Sequence, residues 1–113
     1  GIDEASLEGE SSLILLENNQ LKEVSLDPLH LGLPRASLTD LKGGDLATNQ
    51  EILSSVLKGE GSIPQTDVVA FNTALVLWAA GLHDDFSSGV HTAKASLANG
   101  DPWQVFEALR LAL

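Results

Sequence analysis

Leu13-Ile14-Leu15-Leu16 is a short apolar run, and beyond Asn18-Asn19 apolar positions resume at Leu21, Val24 and Leu26. Short runs on either side of an Asn-rich loop predict a β-hairpin. Asn suits that loop because it tolerates the left-handed conformation of tight turns. Residues 1–7 are a candidate for forming or finishing another strand. Asp27-Pro28 opens a loop with a short helical turn, punctuated by Gly32-Leu33-Pro34; Ser37 to Leu41 has the make-up of one more turn, and Gly43-Gly44 forms a hinge.

From Asp45 onward the apolar spacing is helical. Asp45 is a candidate N-cap, with Leu46, Ile52, Leu53, Val56 and Leu57 following up to a stop at Gly59. A second helix begins near Pro64 to Asp67 and ends around Gly81. Val68, Val69, Phe71, Leu75, Val76, Leu77 and Trp78 leave it apolar almost all round, and such a helix is expected to be buried. A third runs from about Ser87 to Ala98, with Val90, Ala93 and Leu97 on one face and Asn99-Gly100 as its C-cap. In Asp101-Pro102-Trp103-Gln104, Asp is read as N-cap, Pro as first helical residue and Gln as the reach-back partner of a capping box. Trp103, Phe106 and Leu109 then form the apolar face of the last helix.

These elements make an α/β chain in one unit, residues 1–113: strands over 1–26, a loop with short helical turns over 27–44, and helices over 45–113. A sheet that small is out of proportion to the helices. Each needs a layer against which to bury its stripe, so further strands are expected from outside the chain. The absence of any Met and the opening Gly1-Ile2-Asp3-Glu4 point the same way, to the later part of a longer protein.

Composition narrows the function. Apolar residues make up 43% of the chain, enough for a packed core. The 16 acids against 6 bases give a net charge of −10, which argues against nucleic acid and against an anionic membrane surface. Phosphate ligands remain open, because a bound metal inverts the local charge logic. With no Cys there is no disulfide, zinc-thiolate site or thiol nucleophile. The stretch Val68 to Ala80, broken by Asn72 and Thr73, is too short to span a bilayer.

Asp3-Glu4 is the candidate metal pair. Mg²⁺ is a hard cation usually taken by one or two carboxylates plus substrate phosphates. In a regular strand the two side chains would point to opposite faces, so only a loop or strand end lets both serve a metal. Solvated charge is the default for such a pair. Lys42-Gly43-Gly44-Asp45 precedes a helix, where backbone amides can bind an anion. Its acidic N-cap would repel a phosphate, so a tight turn with Asp45 as cap is the better reading. Arg35 is expected to pair with a local carboxylate. His30, His83 and His91 lack metal-ligand spacing, and no nucleophile elbow is present.

Taken in order, Gly1-Ile2-Asp3-Glu4-Ala5-Ser6, Leu31 to Leu38, Leu41 to Asp45 with Asn49, Val56 to Gly59, and Asp67 through Asn72 to Ala74 resemble the C-terminal third of the anthranilate phosphoribosyltransferase family. The wording is nearest to bacterial, cyanobacterial members, and the likeness covers essentially all 113 residues. It implies the C-terminal part of the large α/β domain of the nucleoside phosphorylase and phosphoribosyltransferase fold. It also implies transfer of 5-phosphoribosyl from phosphoribosyl diphosphate to the amine of anthranilate, releasing diphosphate, in tryptophan biosynthesis in the cytoplasm. Asp3 and Glu4 match the family's Gly-x-Asp-Glu segment, whose carboxylates bind the Mg²⁺ that accompanies the diphosphate. No catalytic residue is carried over. The family's diphosphate loop, its anthranilate contacts and the helical domain through which it forms homodimers fall outside the chain, so the chain alone is expected to be inactive. A related nucleoside phosphorylase and a non-catalytic nucleic-acid-binding relative are the alternatives; the intact Asp-Glu favours the transferase, and the charge counts against the nucleic-acid binder.

Overall fold

The computed structural model describes residues 4–113. Strand β1 (Ser11–Glu17) pairs antiparallel with β2 (Gln20–Leu26), and Glu17 opposite Gln20 closes the hairpin over Asn18 and Asn19. Both Asn residues have positive φ, 51° and 61°. Left-handed conformation at both central positions is the type I′ turn, whose twist matches the flanking strands. The register sets Leu13 opposite Val24 and Ser11 opposite Leu26 on the inner face, leaving Ile14, Leu16 and Leu21 exposed on the outer one. Residues 4–10 form no strand. The part of the further strand expected over 1–7 that lies within the described residues is instead irregular chain. Its pairing groups are taken by side chains and loops rather than by a third strand.

A 3-10 turn over Pro28–Leu31 follows, with the Asp27 carboxylate accepting from the Leu29 N–H at 3.0 Å. Four helices complete the chain: α1 (Leu46–Leu57), α2 (Ile63–Ala79), α3 (Phe86–Asn99) and α4 (Asp101–Ala112). Side-chain oxygens satisfy the orphan amides that begin three of them. Asp45 accepts from the Thr48 N–H at 2.8 Å, and Asp85 from the Ser88 N–H at 2.7 Å. At α2 a reciprocal capping box joins Ser62 and Gln65, so the helix starts at Ile63, just ahead of the start expected from Pro64.

Asp101 does not cap α4. Gly100, left-handed at φ 73°, both ends α3 and stands as N-cap of α4, with no side-chain capping bond. The Gly100 carbonyl accepts from the Trp103 N–H at 3.1 Å, which draws Asp101 into the first turn. There its charge still favours the positive end of the helix dipole, but the capping box expected with Gln104 is not made. Trp103 and Phe106 stack with centroids 5.2 Å apart, and Lys58 Nζ lies 4.4 Å from the Trp103 ring centre. Leu109, by contrast, is 58% exposed.

α2 is the spine. Asp67, Ala70, Phe71 and Ala74 are buried at helical spacing. Phe71 and Ala74 meet Leu7, Leu26, Leu33 and Val90 in one cluster, while Ala70 meets Val56, Ala93 and Leu97 in another. α3 comes so close at Gly89 that an added Cβ would lie 3.0 Å from Ala74 Cα. With the covering layer expected from outside the chain, α2 is not buried all round: Val76 is 66% exposed. The elements of this chain pack on one side of α2 and leave the opposite apolar stripe open.

The caps give the fold an acid-sensitive component. Hydrogen bonds from the Ser88 backbone N–H, then its hydroxyl, hold the Asp85 carboxyl below its ordinary pKa. A depressed folded pKa contributes stability that is complete above the unfolded value, about 3.9, and is lost as pH falls through the folded one. Urea midpoints of the chain and of Asp85→Asn should therefore differ by a constant amount above about pH 5 and converge below about pH 4. A gap that persists unchanged to about pH 2 would exclude the ionised cap as its source.

Candidate functional site

The acidic segment is held by its backbone. The Ala5 N–H donates to Asn72 Oδ1 at 2.9 Å, and Asn72 Nδ2 donates back to the Ala5 carbonyl at 3.0 Å. The same nitrogen donates to the Val68 carbonyl at 3.0 Å, which fixes the amide on α2. Leu7, fully buried, anchors the segment in the core. Its carbonyl accepts from the Ala36 N–H at 3.4 Å, and Glu8 Oε1 accepts from the Leu38 N–H at 3.1 Å.

Glu4 projects from this fastened stretch. It is exposed and makes no hydrogen bond or ion pair with the described residues. It lines a cleft of about 510 Å³ walled by Leu41, Ile52, Leu53, Val56 and Val68. It also lines an adjoining cleft of about 340 Å³ with Asn72, Thr73 and Val76. A carboxylate with no partner among the described residues, at the edge of apolar walls, fits a hard cation that completes its shell with water or phosphate oxygens. Among the described residues no three His, Cys, Asp or Glu side chains converge as a metal-holding group. Asp3 lies outside the described residues. Irregular chain at Glu4 is the backbone state in which neighbouring carboxylates need not diverge as they would in a strand.

The other expected positions are structural. Asn49 Oδ1 accepts from the Gly44 N–H at 2.9 Å and Asn49 Nδ2 donates to the Gly44 carbonyl at 3.1 Å. The hinge amide is therefore turned to its own helix rather than offered to an anion. Thr48's amide and hydroxyl keep the Asp45 carboxyl below its usual pKa, so the helix end carries a fixed negative charge. Arg35 pairs with Asp27 at 2.8 Å. His30 and His91 are exposed, and His83 is half-buried. No helix of the described residues is long and apolar enough to cross a membrane.

Sequence reasoning left out two polar groups on the inner half of α2. Asp67 is 2% exposed and is met by Lys94 of α3 at 2.8 Å. Asn72 is half-buried and fully bonded by its amide nitrogen. The signal for both was available: a polar residue inside an otherwise apolar helix must find partners, because burying it unpaired is costly.

Comparison with known proteins places this architecture. Over 113 residues the chain is 63% identical to anthranilate phosphoribosyltransferase of Prochlorococcus marinus (strain MIT 9313), covering all of the chain and 32% of that relative. It is 54% identical to the enzyme of the same name from Synechococcus sp. (strain RCC307), covering all of the chain and 33% of it. The chain thus spans about a third of the length of these relatives. The crystal structure of anthranilate phosphoribosyltransferase from Thermus thermophilus superposes with a TM-score of 0.87 at 33% identity, covering 96% of this chain and 32% of that one. The Saccharomyces cerevisiae enzyme in complex with 4-fluoroanthranilate gives 0.82 at 26% identity, covering 95% and 31%. Residues 1–102 match the model of the glycosyl transferase family, a/b domain. With the match running from before the hairpin into the first turn of α4, the chain belongs to that family.

Proposed function

We propose that this chain works as part of an anthranilate phosphoribosyltransferase. The observation that carries the reading is the 63% identity, end to end, with the Prochlorococcus relative of that name. The reaction forms a bond from the anthranilate nitrogen to C1 of the ribose ring and breaks the bond from C1 to the diphosphate oxygen. The nitrogen loses a proton. Asp3 and Glu4 would hold Mg²⁺, which when bound supplies neutralisation of the charge growing on the departing diphosphate. The chain's own contribution is positional. Leu7 and the loop at Ala36 and Leu38 keep the Glu4 segment at the cleft, where its carboxylate is exposed and has no competing partner among the described residues. The diphosphate loop, the anthranilate contacts and a dimerising helical domain belong, on this reading, to chain beyond these residues.

The test is a chimera in which this chain replaces the matching third of the Prochlorococcus marinus relative. It should form N-(5-phosphoribosyl)anthranilate from phosphoribosyl diphosphate and anthranilate, followed by mass spectrometry, and only with Mg²⁺ present. A folded chimera that makes no such product, or that instead cleaves a nucleoside with phosphate, would overturn the assignment.

A further inference from the structure

Asn72 joins α2 to the segment that carries Glu4, and it does so with few groups. One side-chain amide engages both the N–H and the carbonyl of a single residue, Ala5, at 2.9 and 3.0 Å. The Ala5 N–H belongs to the peptide unit that begins at the Glu4 carbonyl carbon. Fixing its direction fixes the peptide plane that holds the Glu4 Cα, while the Ala5 carbonyl bond fixes the plane that follows. The Ala5 backbone is set between them, and the Glu4 Cα is held in place. The remaining amide hydrogen goes to the Val68 carbonyl, so the clamp is itself locked to the helix. Asn72 and Glu4 line the same cleft. We infer that Asn72 is a positioning residue: through the Ala5 peptide groups it holds the Glu4 Cα at the cleft, the place from which its carboxylate meets a metal–diphosphate ligand. This rests on the proposed function, but it assigns a role to a residue outside the metal pair.

The substitutions differ in chemistry. Asn72→Ala removes the clamp. Asn72→Asp puts carboxylate oxygens where the Ala5 and Val68 carbonyls need donors, and should be worse. The chimera described above is the protein to use, and the readout is direct binding of Mn²⁺ in the presence of diphosphate, followed by the electron paramagnetic resonance of free Mn²⁺. Outer residues that orient metal ligands typically contribute about 10- to 100-fold to affinity. Both Asn72 variants should weaken Mn²⁺–diphosphate binding by about that factor, and raise the Mg²⁺ needed for half-maximal turnover in step, with the KM for anthranilate unchanged.

Lys94→Met is the control, since it loosens α2 at a different place. It should lower the thermal midpoint and leave Mn²⁺ affinity as it was. If Lys94→Met weakens the metal equally, Asn72 acts only through general loosening and the inference falls. It falls too if neither Asn72 variant folds, or if both bind Mn²⁺ normally while Asp3→Asn with Glu4→Gln does not. That last outcome leaves the proposed metal site standing. An Asp3→Asn, Glu4→Gln protein with unchanged Mn²⁺ affinity instead removes the metal assignment, and the role of Asn72 with it.

Discussion

In the chimera, Asp3→Asn combined with Glu4→Gln is expected to lower phosphoribosyl transfer by about 10²- to 10³-fold at limiting Mg²⁺, the scale associated with losing one group that stabilises transition-state charge. Each exchange keeps the side-chain size and removes a full negative charge. An amide oxygen is a weaker donor to a hard cation than a carboxylate, so the loss should fall on capture of the metal–diphosphate unit. Glu4 has no protein partner among the described residues to lose. The fold should therefore be indifferent to Glu4→Gln, and thermal unfolding of that single variant should be unaltered. Raising Mg²⁺ should recover part of the rate. Turnover equal to the parent's at the lowest Mg²⁺ would remove the acidic pair from the site.

The other large effect is on stability. Lys94→Ala strands Asp67, which is 2% exposed and loses its cation at 2.8 Å. Removing one partner of a fully buried pair costs about 3–5 kcal/mol. The Lys94 side chain is 42% exposed, so solvent already screens the pair. The expected loss is about 2–3 kcal/mol. Asp67→Asn with Lys94→Met leaves no charge behind and should cost about 1 kcal/mol or less. Urea midpoints of Lys94→Met, Asp67→Asn and the double variant give the coupling. If Lys94→Met alone is as stable as the parent, the loss in Lys94→Ala comes from packing along the lysine stem rather than from the abandoned carboxylate.

Local signals in the sequence were strong. Asn18-Asn19 specified its turn because few residues accept positive φ at both positions, and Asp45 announced α1 because its oxygen reaches the Thr48 amide without help from the rest of the chain. The end of α3 was equally plain in Asn99-Gly100. The start of α4 was misread because Asp-Pro-x-Gln is the same text whether Asp caps the helix or occupies its first turn. The left-handed Gly100 decides between them. Contacts made across the chain could not be read locally. Asn72 and Ala5 are 67 residues apart, and nothing in either neighbourhood names the other. The opening Asp-Glu was legible as a pair but its backbone state was not. A strand would have parted the side chains, whereas the described part of the segment is irregular and fastened by a helix side chain.

Gly100 has one more consequence. Because α3 and α4 share it, no slack separates them, and the azimuth of α4 is inherited from the winding of α3. Lengthening α3 by one residue beyond Leu97 would rotate everything downstream by about 100°. That would carry Trp103 away from the Lys58 ammonium now 4.4 Å from its ring centre. Most helix connections absorb an added residue as extra loop. This joint transmits it as a turn of phase, so the spacing from Leu97 to Trp103 is a measured length.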